Sequence, residues 1–83
     1  MLMCYECGAP ATEMHHCIYG NGRHKLCDED GLTVPLCREC HTRLHSSKGH
    51  EMALRYKQLA ETTYILRGHT VEDFIDRYGK NYL

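Results

Sequence analysis

The sequence predicts a small α+β domain stabilised by bound metal, in the order metal-binding knuckle, β-hairpin, helix and two C-terminal helices. Two observations support this fold class. All six cysteines and six of the seven histidines lie within residues 1–50, whereas residues 51–83 contain no cysteine and space their apolar side chains as helices do. An 83-residue chain buries a limited core, so a metal staple is expected. We therefore treat 1–83 as one domain, with a metal-stapled core at 1–49 and a helical extension at 50–83 packed on it.

Two CxxC pairs supply the ligands for this metal. The pairs, Cys4 with Cys7 and Cys37 with Cys40, are separated by 29 residues, and four thiolates satisfy the tetrahedral coordination of a structural zinc ion. The first pair lies on a predicted tight turn, and the second lies where a strand meets a helix. This order of knuckle, hairpin and helix is that of a treble-clef zinc module. The alternative is four reduced, buried cysteines without metal.

The other two cysteines lie outside the pairs. Cys17 follows a histidine on the predicted first strand, and we expect it to be a small buried apolar residue, as most free cysteines are. Cys27 lies in a polar segment, and no spacing supports a role for it as a metal ligand.

Turn residues and apolar periodicity predict the remaining elements. We expect strands at 12–19 and 32–36, separated by a turn at 20–22 and a polar loop at 23–31. A helix follows at 38–46, with Gly49 as its stop. A second helix at 50–67 and a third that begins after a Thr70–Asp73 capping box complete the chain. The apolar faces of these two helices comprise Met52, Tyr56, Leu59, Thr63 and Leu66, and then Phe74, Ile75 and Tyr78.

Four histidines form a second candidate metal site. His41 and His45 are four residues apart on the helix after the second CxxC pair, so they share one face. A histidine from the His15-His16 pair on the first strand would complete three neutral ligands with an open coordination position, as catalytic sites have. His50 could extend or replace this set. The alternative for an isolated HxxxH pattern is two surface histidines, and we expect His24 and His69 to be solvated loop residues.

The charge and the chain start limit the function classes. A net charge of −1 is unlike the strongly basic balance of many nucleic-acid binders, so phosphate contacts must come from local clusters. The candidates for such contacts are Arg23, Lys25, Arg43 and Lys48. The first residues run directly into a cysteine motif without a secretory leader, and no apolar run approaches membrane-spanning length. We therefore expect a cytoplasmic protein, in which cysteines are more often metal ligands than disulfides.

Three stretches of the sequence resemble the HNH endonuclease superfamily, which has the ββα-metal fold, and in particular its small bacteriophage and prophage members. They are Glu13-Met14-His15-His16-Cys17-Ile18, then Leu32-Thr33-Val34-Pro35-Leu36-Cys37-Arg38-Glu39-Cys40-His41, then Leu44-His45. The resemblance implies a metal-dependent endonuclease acting on DNA, which we expect to be double-stranded. It also implies structural zinc and a catalytic divalent metal such as Mg²⁺, Mn²⁺, Ni²⁺ or Zn²⁺.

The resemblance also assigns roles to single residues. His16 matches the family's general base, and His15, His41 and His45 match its metal-ligand positions. The chain departs from the family at the middle asparagine, where Leu32 stands. Asp30 or Asp28 would have to replace that asparagine.

Two other functions compete with an autonomous nuclease. One is a non-catalytic zinc module of phage origin that binds DNA or a partner protein, which the near-neutral charge and the missing asparagine favour. The other is a recombination-associated phage nuclease that depends on a host recombination partner or a phage packaging partner. Geometry separates these readings, because a nuclease requires His16 to lie beside the three-histidine site.

Overall fold

The structure, a computed structural model, describes residues 2–20 and 22–83 as a two-stranded antiparallel sheet with four helices, which confirms a small α+β domain. In chain order the elements are β1 (Glu13–His16), α1 (Arg23–Asp30), β2 (Thr33–Leu36), α2 (Arg38–Leu44), α3 (His50–Leu66) and α4 (Val71–Tyr78). Asn21, in the predicted turn, lies outside the described residues. None of the helices in the described part of the chain has the length and apolar character needed to cross a membrane.

The two strands and the knuckle before them form one end of the molecule. In the register of the sheet, Glu13 pairs with Leu36 and His15 pairs with Val34, and both His15 and Val34 are buried. The knuckle docks beside β2, where the Tyr5 amide donates to the Pro35 carbonyl at 2.8 Å. Its turn ends at a glycine with a φ of 81°, a conformation that side chains with a Cβ disfavour.

The structure corrects the expected polar loop at 23–31, which forms helix α1 instead. Its residues are mostly charged, so the segment lacks the apolar stripe by which helices are recognised in sequences. Cys27 is the buried residue of this helix, and its Sγ donates to the Ile18 carbonyl at 3.2 Å. Glycines with positive φ stand at both ends, Gly22 and Gly31. The helix therefore has one buried side chain and a glycine at each end, and its polar composition does not predict it.

Helix α3 is the central packing element, but its buried face is rotated from the predicted one. Met52 and Tyr56 are buried as expected, whereas Leu66 is 81% exposed. The remaining buried residues of α3 are Ala53, Ala60, Glu61 and Tyr64. Two small alanines let neighbouring elements approach closely, which apolar spacing alone does not reveal.

Helix α4 begins at the predicted capping box, in which Thr70 and Asp73 bond each other's backbone amides. Phe74 and Tyr78 pack in the core as predicted. The expected burial of Ile75 is wrong, because 38% of its surface is exposed. The short α4 helix therefore presents only one narrow apolar stripe to the core.

Gly49 corrects another expectation, since it caps the start of α3 rather than ending α2. Helix α2 ends at Leu44, and a Cβ built on Gly49 would lie 2.1 Å from the Leu44 carbonyl oxygen and 2.3 Å from that of Arg43. Only glycine permits this approach of the two backbones. The close turn fixes the direction of α2 relative to α3.

Candidate metal centres

The first candidate centre brings together all four cysteines of the two CxxC pairs. Their sulfur atoms lie within 4.8 Å of one another. The Cys7 and Cys37 sulfurs are 3.8 Å apart. A tetrahedron with zinc–sulfur bonds of about 2.3 Å has an edge of about 3.8 Å, so this spacing fits zinc. The four predicted ligands therefore form a group that could hold a metal ion.

Local backbone structure aims these thiols at one point. Cys37 is the N-cap of α2, and its Sγ accepts a hydrogen bond from the Cys40 amide at 3.4 Å. Burial acts to raise the pKa of the Cys4 thiol, but hydrogen bonds from the backbone of Cys37, Cys7 and Glu6 lower it to about 6. A depressed pKa favours the thiolate, which is the form that binds metal.

The knuckle is also tied to α3 through Glu6, which lies between Cys4 and Cys7. The Tyr56 hydroxyl donates to Glu6 Oε1 at 2.6 Å, and the Arg55 guanidinium lies 3.2 Å from Oε2. The hydrogen bond from Tyr56, opposed by burial and assisted by Arg55, holds the pKa of Glu6 below its ordinary value. This contact connects the cysteine cluster to the central helix.

The second candidate centre contains His15 from β1, His41 from the middle of α2 and His45, which caps the end of α2. His41 Nε2 lies 3.3 Å from His15 Nδ1 and 3.3 Å from His45 Nε2. Tetrahedral metal–nitrogen bonds of 2.0–2.1 Å give an edge of about 3.3–3.4 Å. Octahedral bonds of the same length give an edge of about 2.9 Å. The three imidazoles therefore form a group that could hold a metal ion.

A carboxylate that the sequence analysis assigned no role orients the middle imidazole. Glu13 Oε1 lies 2.7 Å from His41 Nδ1, and a carboxylate only accepts, so this nitrogen carries the proton. The lone pair of the neutral ring is then on Nε2, facing the other two histidines. Glu13 stands two residues before His15 on the same strand face, a spacing that could have identified it.

Burial keeps the first of these imidazoles neutral. His15 is 2% exposed, and burial together with the nearby His41 and His45 lowers its pKa to about 4. Burial, with His41 beside it, also lowers the pKa of His45. Neutral imidazole is the metal-binding form, so His15 and His45 favour that form near neutral pH.

A cavity of about 470 Å³ connects this centre to His16. His15, His16, His41 and His45 all line it, because β1 ends at His16 and does not confine that side chain to the opposite face. His16 Nε2 lies 2.8 Å from Asp28 Oδ1. Since the carboxylate accepts, the lone pair of a neutral His16 is on Nδ1.

His24 also lines this cavity, and it is exposed as expected but lies on α1 rather than in a loop. Its ring stacks on that of His16, with centroids 4.5 Å apart and planes inclined by 12°. It lies on α1, the helix that also carries Asp28, so one helix holds His16 by two contacts. His69 is an exposed loop residue, as predicted, and its ring stacks on that of Tyr64 with the centroids 3.9 Å apart.

Asp30 does not contact His16, as a substitute for the family's asparagine would. It bonds Arg77 Nε at 2.6 Å and the Tyr78 hydroxyl at 2.6 Å, which joins α1 to α4. Although burial opposes the shift, these donors hold its pKa below the ordinary value. The carboxylate that contacts His16 is thus Asp28.

The predicted phosphate-contacting cations do not line the histidine cavity. Arg23 Nε donates to the Tyr78 carbonyl at 2.9 Å, a contact between α1 and the end of α4. Lys25, Arg43 and Lys48 are exposed and are not among the residues that line the histidine cavity. His50 is not part of the three-histidine group, and it lines a neighbouring cavity.

One family model matches residues 1–65, a segment that contains both candidate centres. The family is described as a protein of unknown function, DUF968. No curated protein and no solved structure matches the chain.

Proposed function

The chain belongs to the DUF968 family of unknown function, and we propose that it is a metal-dependent HNH-type endonuclease that hydrolyses phosphodiester bonds of DNA. One observation carries this proposal. One cavity is lined both by the three clustered histidines and by His16, whose Nε2 is hydrogen-bonded to the Asp28 carboxylate. A metal ligand set with a neighbouring oriented base is the arrangement that metal-assisted hydrolysis requires.

We propose that the cysteine cluster is a structural zinc site within a treble-clef, ββα-metal core. The order of knuckle, two paired strands and helix α2 supports this topology. Zinc on Cys37 and Cys40 would anchor the first turn of α2. His41 and His45 lie on that helix and at its end, so the structural site would place the histidine ligands.

Three imidazole nitrogens favour zinc or another first-row transition metal over Mg²⁺, which prefers oxygen ligands. His15, His41 and His45 would hold such a metal, which would supply positive charge to stabilise the phosphate oxygens in the transition state. Glu13 would strengthen the site by fixing the ring of His41.

His16 is the proposed general base. Its Nδ1 would accept the proton of the attacking water, while Asp28 accepts the hydrogen bond from Nε2 and stabilises the charge that develops on the ring. His24 limits rotation of the ring by stacking on it. Asp28 thereby performs the orienting role that the middle asparagine has in the resembling family.

Plasmid nicking tests the proposal. Zinc-loaded protein is incubated with supercoiled plasmid and added Mg²⁺, Mn²⁺, Ni²⁺ or Zn²⁺, and wild type is compared with His16→Ala. Removal of a general base lowers a rate by about 10²–10⁴-fold. His69→Ala, a histidine outside the cavity, is the matched control and retains nicking. Equal nicking by wild type and His16→Ala would reject the base. No nicking with any metal would favour the non-catalytic zinc module.

A further inference from the structure

A second cavity, of about 480 Å³, adjoins the histidine cavity and shares Tyr19 and His45 with it. We call it the lysine groove. It runs from the α2–α3 turn to the end of the chain. The residues on which the inference depends are Ser47, His50, Lys57, Lys80 and Tyr82.

Two lysines line this groove and lie near the same tyrosine ring. Lys57 Nζ lies 4.6 Å from the Tyr19 ring centroid and 5.4 Å from that of Tyr82, and Lys80 Nζ lies 5.6 Å from the Tyr82 centroid. Among the described residues that line the groove there is no aspartate or glutamate. No carboxylate in the described lining therefore balances the positive charge of the two lysines, and a bound anion would balance it.

The N-terminus of α3 adds to the positive potential. This 17-residue helix begins beside the groove, where Ser47 and His50 line the wall. Its N-cap is Gly49, which has no side chain to accept from the free amide groups of the first turn. Helix N-termini favour negative charge, so this end contributes to the same anion preference as the two lysines.

The wall that carries Lys80 is held in place by buried contacts. The Tyr82 amide donates at 2.7 Å to Glu61, which is fully buried, and Gln58 Nε2 donates at 3.0 Å to the Tyr82 carbonyl. The C-terminal segment is therefore fixed against α3. Contacts of Gly79 and Tyr82 flank Lys80 and hold this residue in the wall of the groove.

We propose that the lysine groove binds a DNA phosphodiester that flanks the bond placed at the histidine cavity. This inference rests on the proposed function, because continuity between the two cavities gives the DNA backbone its path. Lys57 and Lys80 take the role that the sequence suggested for Arg23, Lys25, Arg43 and Lys48. Tyr19 and His45 mark the border where the backbone passes from one cavity to the other.

Fluorescence anisotropy tests the groove with a fluorescein-labelled 12-base-pair duplex and zinc-loaded protein, without further divalent metal. The double variant Lys57→Gln/Lys80→Gln is compared with Lys25→Gln/Lys48→Gln, which removes the same charge outside both cavities. The groove variant is expected to bind about tenfold more weakly and to lower the salt slope of log Kd by about 2. The conservative Lys57→Arg/Lys80→Arg variant is expected to bind as wild type does.

An equal loss of duplex affinity in both glutamine variants would show an effect of net charge alone and would overturn the inference. Wild-type affinity in the groove variant, or no duplex binding by the wild type, would also overturn it. If the groove variant fails to fold, NMR of the wild type decides. The ε-methylene signals of Lys57 and Lys80 then shift on duplex addition before those of Lys25 and Lys48, and the reverse order overturns the inference.

Plasmid nicking separates this inference from the proposed function. If the groove substitutions weaken duplex binding but the wild type does not nick plasmid with any of the metals, the groove inference stands and the proposed nuclease activity is rejected. Nicking and binding that are both insensitive to the groove substitutions retain the nuclease and reject the groove.

Discussion

The Asp28 carboxylate lies 2.8 Å from Nε2 of His16, so a residue of α1 holds the imidazole at the end of β1. The two residues are twelve positions apart, and their contact requires helix α1, which the sequence composition does not predict. In a hydrolytic site, such a carboxylate fixes which ring nitrogen is free to accept a proton.

Asp28→Ala is therefore expected to slow nicking while leaving the fold intact. Asp28 is exposed, so its loss costs little stability, but the ring of His16 loses its hydrogen-bond acceptor. The expected loss in rate is at least about tenfold, which is less than loss of the base itself would cost. Asp76→Ala, on the exposed surface of α4, is the control and is expected to nick as wild type does. Unchanged nicking by Asp28→Ala would show that Asp28 takes no part in catalysis.

Glu13→Gln is expected to weaken metal binding at the three-histidine centre. The carboxylate fixes the tautomer of His41, and removal of such partners typically lowers metal affinity by about 10–100-fold. Competition of Zn²⁺ or Ni²⁺ with a chromophoric chelator measures the affinity. Glu39→Gln, exposed in the first turn of α2, should bind as wild type does. Equal metal affinities of wild type, Glu13→Gln and Glu39→Gln would show that Glu13 does not contribute to metal binding.

Cys7→Ser is expected to lose one zinc ion per chain together with cooperative unfolding. Cys7 contributes one of four clustered sulfurs, and a small domain of this kind couples metal binding to folding. Cys17→Ala is the contrast, since this buried cysteine lies outside the cluster and its removal leaves the zinc in place. Metal analysis and circular dichroism report both effects. A folded, metal-free Cys7→Ser protein would exclude a structural zinc.

Asp30 is expected to make stability depend on pH. The pKa of its carboxyl is depressed in the fold, so its contribution is present above the unfolded-state pKa and is lost as pH falls through the folded value. Asp30→Asn should cost about 2 kcal/mol at pH 7, because Arg77 and Tyr78 lose a charged acceptor. Urea unfolding of both proteins from pH 7 downwards measures the difference. A difference that persists unchanged at the lowest pH would contradict this account.

The ligand clusters were predictable because spacing along the chain determines their geometry. The two CxxC motifs bring four sulfur atoms together when the strands pair, and positions 41 and 45 are one helical turn apart whatever the tertiary structure. The contact partners were not predictable in the same way. Asp28 and Asp30 are two residues apart, and only the position of α1 against β1 and α4 assigns one to His16 and the other to Arg77.

The α3 face and the lysine groove show the same limit. Leu66 fits the apolar spacing but lies beyond the neighbouring elements, while Ala53 and Ala60 are buried because they are small enough for close packing. Lys57 and Lys80 are 23 positions apart, and they line one groove because the C-terminal segment is anchored on Glu61. Such long-range packing has no local signature in the sequence.

The most direct test of the central claim is the plasmid-nicking rate as a function of metal equivalents added to chelated and refolded protein. The account predicts that the first equivalent of zinc restores the fold without nicking, and that nicking then rises with a second equivalent of Zn²⁺ or Ni²⁺. His41→Ala is expected to fold with the first equivalent and to gain no nicking from the second. Nicking that is complete at one equivalent, or equal in His41→Ala and wild type, would contradict a catalytic centre at the three histidines.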